Sequence, residues 1–258
     1  MAEQHTETTA GERVAKVLAR RGLCSRREAE RLIAAGRVAI NGQVLVSPAV
    51  RITATDAVTV EGEIIAAHAP TRLWRYHKPR GLVVTHRDPE GRRTVFDALP
   101  ESLPRVVSVG RLDLNSEGLL LLTNDGTLAR RLELPANGWV RRYRVRVHGV
   151  VDPARLVPLA HGTTIDGIVY GPIRATLDRV QGANAWLTVS LQEGRNREIR
   201  HVMEQCGWSV NRLIRVSYGP FQLGHLIERT VEEVPGKVLR EQLGLRAHPR
   251  KLAQEESA

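Results

Sequence analysis

Apolar residues follow two different rhythms along this chain. In the first stretch, Val14, Val17 and Leu18 recur at helical spacing, and the run stops at Gly22. Ser25-Arg26-Arg27-Glu28 then has the form of a capping box. The Ser25 hydroxyl can accept from the Glu28 amide, and the Glu28 side chain can reach back to the Ser25 amide. A helix should follow, with Ala29, Leu32 and Ile33 on its apolar face and Arg26, Arg27, Glu30 and Arg31 in water. Gly36 is placed to end it. Asn41-Gly42 next separates Val38-Ala39-Ile40 from Val44-Leu45-Val46. Both turn residues tolerate positive φ, which predicts a β-hairpin. Residues 12–66 therefore read as one small domain of two short helices and a hairpin. The proline-containing stretch 66–71 reads as a linker.

From 72 to 245 the pattern alternates strand with helix. Apolar runs predict strands at 106–109, 119–123, 143–147, 185–191 and 213–216. Helices are expected at 127–134, 152–160 and 196–206. Asp152 would cap the second with Pro153 in its first turn, and Gly207 would close the third. In that third helix Arg197, Arg200 and His201 fall on turns away from the Ile199, Val202 and Met203 face. The fold class expected is α+β: a small N-terminal α/β domain, then a larger domain built on a mixed, largely antiparallel sheet. The polar ends, 1–11 and 246–258, read as flexible tails.

Charge changes the picture most. Lys plus Arg number 38 against 28 Asp plus Glu, a net charge of +10. Such an excess attracts polyanions, and nucleic acid leads that class. The cations are not spread evenly. Arg13, Lys16, Arg20, Arg21, Arg26, Arg27, Arg31 and Arg37 crowd the first domain. Most charge runs are merely solvated faces, but a helix presenting these could track a phosphate backbone. No apolar run approaches the roughly 18 residues of a membrane span, and the polar start lacks a secretory signal's apolar stretch. A soluble, cytoplasmic protein without a membrane partner is expected, with monomer as the simplest state. Cys24 and Cys206 stand far apart without metal-ligand spacing and read as small buried residues. There is no phosphate-binding GxxxxGK[ST] loop, dinucleotide fingerprint or metal cluster, so neither cofactor nor metal is expected.

Gly22 to Val46, GLCSRREAERLIAAGRVAINGQVLV, resembles an S4 domain, a small RNA-binding module. That resemblance implies RNA contacts from Arg20, Arg21, Arg26, Arg27, Arg31 and Arg37, and no particular activity.

Four segments of the larger domain carry candidate chemistry. HKPRGL, 77–82, is a strand end running into a turn. VGRLDLNSEG, 109–118, holds Asp113 on a loop between two apolar runs. Most such aspartates are turn formers. RRYRV, 141–145, sets Tyr143 on a strand, and EGRNREIRHV, 193–202, is a glycine turn into a basic helix. Together they supply a carboxylate, a guanidinium to hold it ionised, an aromatic plane for a base and cations for phosphates.

GRLDLNSEGLLLLTNDG, 110–126, resembles the signature of the RsuA/RluB/E/F family of pseudouridine synthases, and the other three segments resemble that family's remaining motifs. The GRNRE wording is most like the branch of ribosomal large-subunit pseudouridine synthase B. The resemblance implies isomerisation of a uridine in ribosomal RNA, most like 23S large-subunit rRNA, either free or in an assembling ribosomal particle. It implies Asp113 as catalytic aspartate, Tyr143 stacked on the uracil and Arg200 paired with Asp113, which would lower the carboxylate pKa. Lys78, Arg111, Arg195 and Arg197 would meet the RNA, with Lys78 and Pro79 shaping the pocket. A non-enzymatic S4-type RNA-binding or assembly protein is the alternative, as is the same enzyme acting on small-subunit rRNA or tRNA.

Overall fold

A computed structural model describes residues 11–53, 55–66 and 69–244. The expected tails lie almost wholly outside these residues, as does part of the expected linker. Packing divides the chain into two units. The first runs to residue 71 and adds the short segments Glu101–Val107 and Asn124–Gly126; the second holds the rest.

In the first unit, β1 (Glu12–Arg13) leads directly into α1 (Val14–Arg20), and α2 (Arg26–Ala34) follows. The Ser25 hydroxyl accepts from the Glu28 amide at 3.2 Å, the forward arm of the expected box. β2 (Val38–Ile40) and β3 (Gln43–Val44) pair across Asn41-Gly42, whose φ values are 50° and 82°. β4 (Arg51–Ile52) pairs with β1, while β5 (Val58–Val60) and β6 (Glu63–Ile64) extend the hairpin into four strands. The core joins Val14, Val17 and Leu18 of α1 to Ala29 and Ile33 of α2 and to Val38, Ile52 and Val58. Each large apolar side chain so buried contributes about 1.5–3 kcal/mol. Those from the two helices are the helical-period positions of the sequence, while Leu32 is only partly buried and Val38, Ile52 and Val58 come from strands. Cys24 joins the same core, and burial raises its thiol pKa.

The second unit is built on one sheet of nine strands. In chain order these are β7 (Leu73–Lys78), β8 (Val107–Val109), β9 (Glu117–Thr123), β10 (Arg141–His148), β13 (Ile173–Gln181), β14 (Asn184–Leu191), β15 (Ser209–Tyr218), β16 (Phe221–Gln222) and β17 (Val231–Glu233). A separate hairpin joins β11 (Thr163–Ile165) to β12 (Ile168–Tyr170). The main path is β13-β14-β10-β15-β9-β7-β17. Neighbours along this path are antiparallel except β15 and β9 at the centre, which run parallel. The helices α3 (Gly126–Glu133), α4 (Glu198–Gln205) and α5 (Gly236–Gln242) complete the unit. β9 is buried along its whole length. Both its faces are covered, which is why its sequence is a continuous leucine run and not an alternation.

Two expectations need correction. Residues 152–160 do not form an α-helix. They form two 3₁₀ turns, Pro153–Arg155 and Val157–His161. Pro158 lacks the amide a helix interior needs, and it disfavours helical backbone in the residue before it. Asp152 still caps, accepting from the Ala154 amide at 2.9 Å. The helix expected at 196–206 begins only at Glu198, because Arg197 takes a left-handed conformation with φ 51°. Strand β13 was not anticipated. Outward of Leu177 its residues are mostly exposed, so its apolar pattern fades.

The parallel pair imposes the tightest contact in the sheet. Gly118 has φ 99°, and a Cβ there would stand 2.3 Å from the Arg215 carbonyl oxygen. Gly118→Ala should therefore cost at least about 3 kcal/mol, adding forced overpacking to a left-handed backbone penalty. Urea unfolding of the full chain checks this. A loss under about 1 kcal/mol would show that β9 and β15 can separate cheaply.

Candidate active site

The site forms where the ends of several central strands meet. β8 ends at a turn through Gly110, whose φ is 66° and whose amide donates to Glu133 Oε1 at 2.8 Å. Leu112 is buried and anchors the middle of the following loop. Asp113 comes next, half-buried, and the chain turns through a Ser116 N–H to Asp113 carbonyl bond of 3.0 Å before entering β9.

This loop is held by its backbone carbonyls. Lys78 is fully buried at the end of β7, opposite Gly118. Its Nζ donates to the carbonyls of Asp113 at 3.1 Å, Leu114 at 3.4 Å, Ser116 at 2.9 Å and Pro79 at 3.0 Å. The Gly81 amide also donates to Leu114 at 2.9 Å. Arg200 adds the Asn115 carbonyl at 3.2 Å while holding Val210 at 2.9 Å. Four successive carbonyls of the loop, 113 to 116, are thus gripped from beneath. Among the described residues, no hydrogen bond or ion pair is made by the Asp113 carboxylate itself.

A cavity of about 100 Å³ opens in front of that carboxylate. Tyr143 lines it from β10, Leu213 and Arg215 from β15, and Glu198 and Ile199 from the first turn of α4. Arg111, Arg195 and Arg197 stand exposed at its rim. Tyr143 is 8% exposed and sits opposite Arg215 in the β10–β15 ladder. Arg215 is buried, donates from Nε to the Leu119 carbonyl at 2.7 Å and keeps one terminal nitrogen without a partner. Behind it, Arg215 and Arg141 approach the Tyr218 ring at 5.1 and 4.6 Å. Glu198 accepts from the Arg195 amide at 2.9 Å, and burial raises its carboxyl pKa.

The sequence-expected residues therefore part company. Asp113, Tyr143, Arg111, Arg195 and Arg197 converge on one pocket. Arg200 lies next to the loop but makes no ion pair with Asp113. Its two terminal nitrogens go to carbonyls, and burial pushes its pKa down while the Asp113 charge acts in the opposite sense. It is also buried, although its helical position falls away from the Ile199, Val202 and Met203 face. Lys78 cannot meet RNA, because strand alternation turns it inward and leaves it no exposed surface. In the first unit Arg26, Arg27 and Arg31 are exposed, and none makes an ion pair among the described residues. Arg20 is tied to Glu12 at 2.6 Å, Arg21 to the Ile65 carbonyl at 3.2 Å and Arg37 to Glu61. Arg215 and Glu198 were missed. The signal for Arg215 was present: it shares the inward face with Leu213 two residues before it.

No helix among the described residues is long and apolar enough to cross a membrane, and none of their His, Cys, Asp and Glu side chains group as metal ligands.

Comparison with known proteins gives two family matches. Residues 72–205 match the RNA pseudouridylate synthase family, and residues 12–58 match the S4 domain. An uncharacterized RNA pseudouridine synthase of Rickettsia prowazekii is 46% identical over 232 residues, 90% of this chain and 97% of that one. Ribosomal large subunit pseudouridine synthase B of Haemophilus influenzae is 43% identical over 251 residues, 92% of this chain and 69% of that one. The Escherichia coli protein of the same name is 44% identical over 218 residues, 82% and 75% of the two chains. A crystal structure of pseudouridylate synthase superposes with a TM-score of 0.62 at 25% identity, covering 90% of this chain and 99% of that one.

Burial drives the Lys78 ammonium down from its usual 10.5 to about 8. Its folded pKa thus lies below its unfolded one. The folded state binds fewer protons between the two values, so this group makes unfolding harder as pH rises through that window. The contribution is complete above pH 10.5 and is lost as pH falls through about 8. Unfolding free energy measured against pH should carry this slope in the native chain and lack it in Lys78→Met. Equal slopes would mean that the ammonium is not desolvated. Lys78→Met should also cost about 2–4 kcal/mol, because several carbonyls lose a buried donor together.

Proposed function

The chain belongs to the RNA pseudouridylate synthase family, and from that premise we propose that it isomerises a uridine of large-subunit ribosomal RNA with Asp113 as nucleophile. One observation supports the aspartate's role above the others. Its loop is gripped through four carbonyls, yet its carboxylate is left without a partner at the head of a pocket that Tyr143 shares. A reacting group gains from being held rigidly in this way before the substrate arrives. The large-subunit assignment is supported by the two relatives named for that substrate.

The target nucleotide leaves its stack at a cost of a few kcal/mol and enters the pocket. Tyr143 offers its ring to the uracil. Asp113 attacks the uracil ring or the ribose C1′, and the N1–C1′ bond breaks. The detached base turns and rejoins C1′ through C5, and the bond to Asp113 breaks, which frees the carboxylate. A proton leaves C5 and N1 gains one, so no atom is gained or lost overall. Arg111, Arg195 and Arg197 at the rim supply charge for the flanking phosphates. Arg200 acts on the loop backbone and not by direct pairing with the carboxylate.

Purified protein incubated with rRNA transcripts carrying tritium at uridine C5 should release tritium to water from the large-subunit transcript and not from the small-subunit one. Asp113→Asn should abolish release while RNA affinity stays within about twofold, since this change leaves the basic contacts in place. Release that survives in Asp113→Asn refutes the nucleophile. Release from the small-subunit transcript alone refutes the substrate.

A further inference from the structure

The central sheet has a second face. Along β10 the inward residues are Tyr143, Val145 and Val147, so Arg142, Arg144 and Arg146 point the other way. The register extends this face across two more strands. Arg142 lies beside Ser190, and Ser190 beside Arg174. Arg146 lies beside Trp186, and Trp186 beside Arg179. Arg142, Arg144, Arg174 and Arg179 are exposed, while Arg146 and Trp186 are half-buried. The Arg144 guanidinium stands 4.9 Å from the Trp186 ring centre.

Within the protein these charges are not answered. None of the five arginines forms an ion pair among the described residues, and Arg146 Nε is buried without a hydrogen-bond partner. Among the described residues of β10, β13 and β14 the only acid is Asp178, at a bulge, accepting from the Thr188 hydroxyl at 2.9 Å. Arg212 faces Arg146 directly, but Glu117 takes it up at 2.7 Å. Neighbouring like charges weaken a sheet, and here these three strands set only Asp178 against five arginines. Arginine forks about 5–10 Å apart, set by strand spacing, suit a row of phosphates, which they can bind in bidentate fashion. Trp186 with Arg144 adds a flat surface of the kind on which bases stack.

We propose that this face is a second RNA-binding surface, holding backbone phosphates of the RNA that flanks the segment in the pocket. β13 is the edge strand of the sheet, so a long RNA leaving the pocket can pass round it. The inference rests on the chain acting on RNA. It does not require that the target lie in the large subunit.

The test compares binding of the full chain to a large-subunit rRNA transcript and to a short RNA hairpin, across a salt series. The triple substitution Arg144→Gln, Arg174→Gln, Arg179→Gln should weaken transcript binding by about tenfold or more at physiological salt. The slope of log K against log salt should become shallower by about 2–3, since each phosphate contact contributes roughly 0.7–0.9. Hairpin binding should not change. The matching triple change to Lys should keep most of the slope, because the charge remains. Unchanged transcript affinity and slope in the Gln variant would overturn the proposal and leave the face merely solvated, or kept for another partner. Equal losses on transcript and hairpin, or the same loss in the Lys variant, would also overturn it by showing damage to the fold or the pocket. These are binding readouts, so a chain that fails to modify the large-subunit transcript would still answer the question.

Discussion

The rest of the catalytic unit depends on one buried ammonium. Lys78 lies inside the sheet without exposed surface, and its three protons are shared among four carbonyl oxygens. A cation there is costly, since burial disfavours the charged form. What it secures is a short loop in which only Leu112 and Ser116 are buried. Without a donor beneath it, that loop would present several carbonyls to a dry interior. With the donor, the loop's path is fixed, and so is the direction in which Asp113 leaves it.

The position of Lys78 follows from the strand beside it. Lys78 pairs with Gly118 across β7 and β9, and Gly118 in turn lies against the Arg215 backbone in the parallel step to β15. A side chain at 118 would push the central strands apart and displace the lysine from beneath the loop. The same close approach sets Arg215 next to Tyr143 on the pocket floor. One glycine thus couples the strand order of the sheet to the geometry of the site.

The first unit was highly legible because its signals are local. A serine cap, a glycine stop and an Asn-Gly turn act within a few residues of themselves, and the structure places each where the pattern put it. The motifs of the second unit also located most of the pocket. What the pattern could not show is where long-range packing decides. Arg200 falls off the helix's apolar face by spacing and is still buried, because its guanidinium reaches the carbonyls of Val210 in β15 and of Asn115 in the Asp113 loop. Lys78 looked like a phosphate contact and is a structural donor. The 152–160 segment had a sound cap and a sound first turn, and a single proline inside it decided the outcome.

The misreading of two cations, Lys78 and Arg200, has a common origin. In a chain this rich in arginine and lysine, net charge points to a polyanion without saying which cations meet it. The structure sorts them by what their nitrogens already hold. Lys78, Arg141, Arg200 and Arg215 face carbonyls or a ring and are spent within the fold. Arg20, Arg37 and Arg212 are matched by glutamates. Arg26, Arg27 and Arg31 on one helix, and Arg142, Arg174 and Arg179 on the sheet's far side, have no such partner among the described residues, and Arg144 faces only the Trp186 ring. A guanidinium left unpaired on the surface costs the fold little alone, but a cluster repels itself, a repulsion that salt screens in part and that phosphates would lower further. On the proposed reading these surfaces are where phosphates would lower that repulsion, while Lys78, Arg200 and Arg215 are already committed to backbone carbonyls around the pocket.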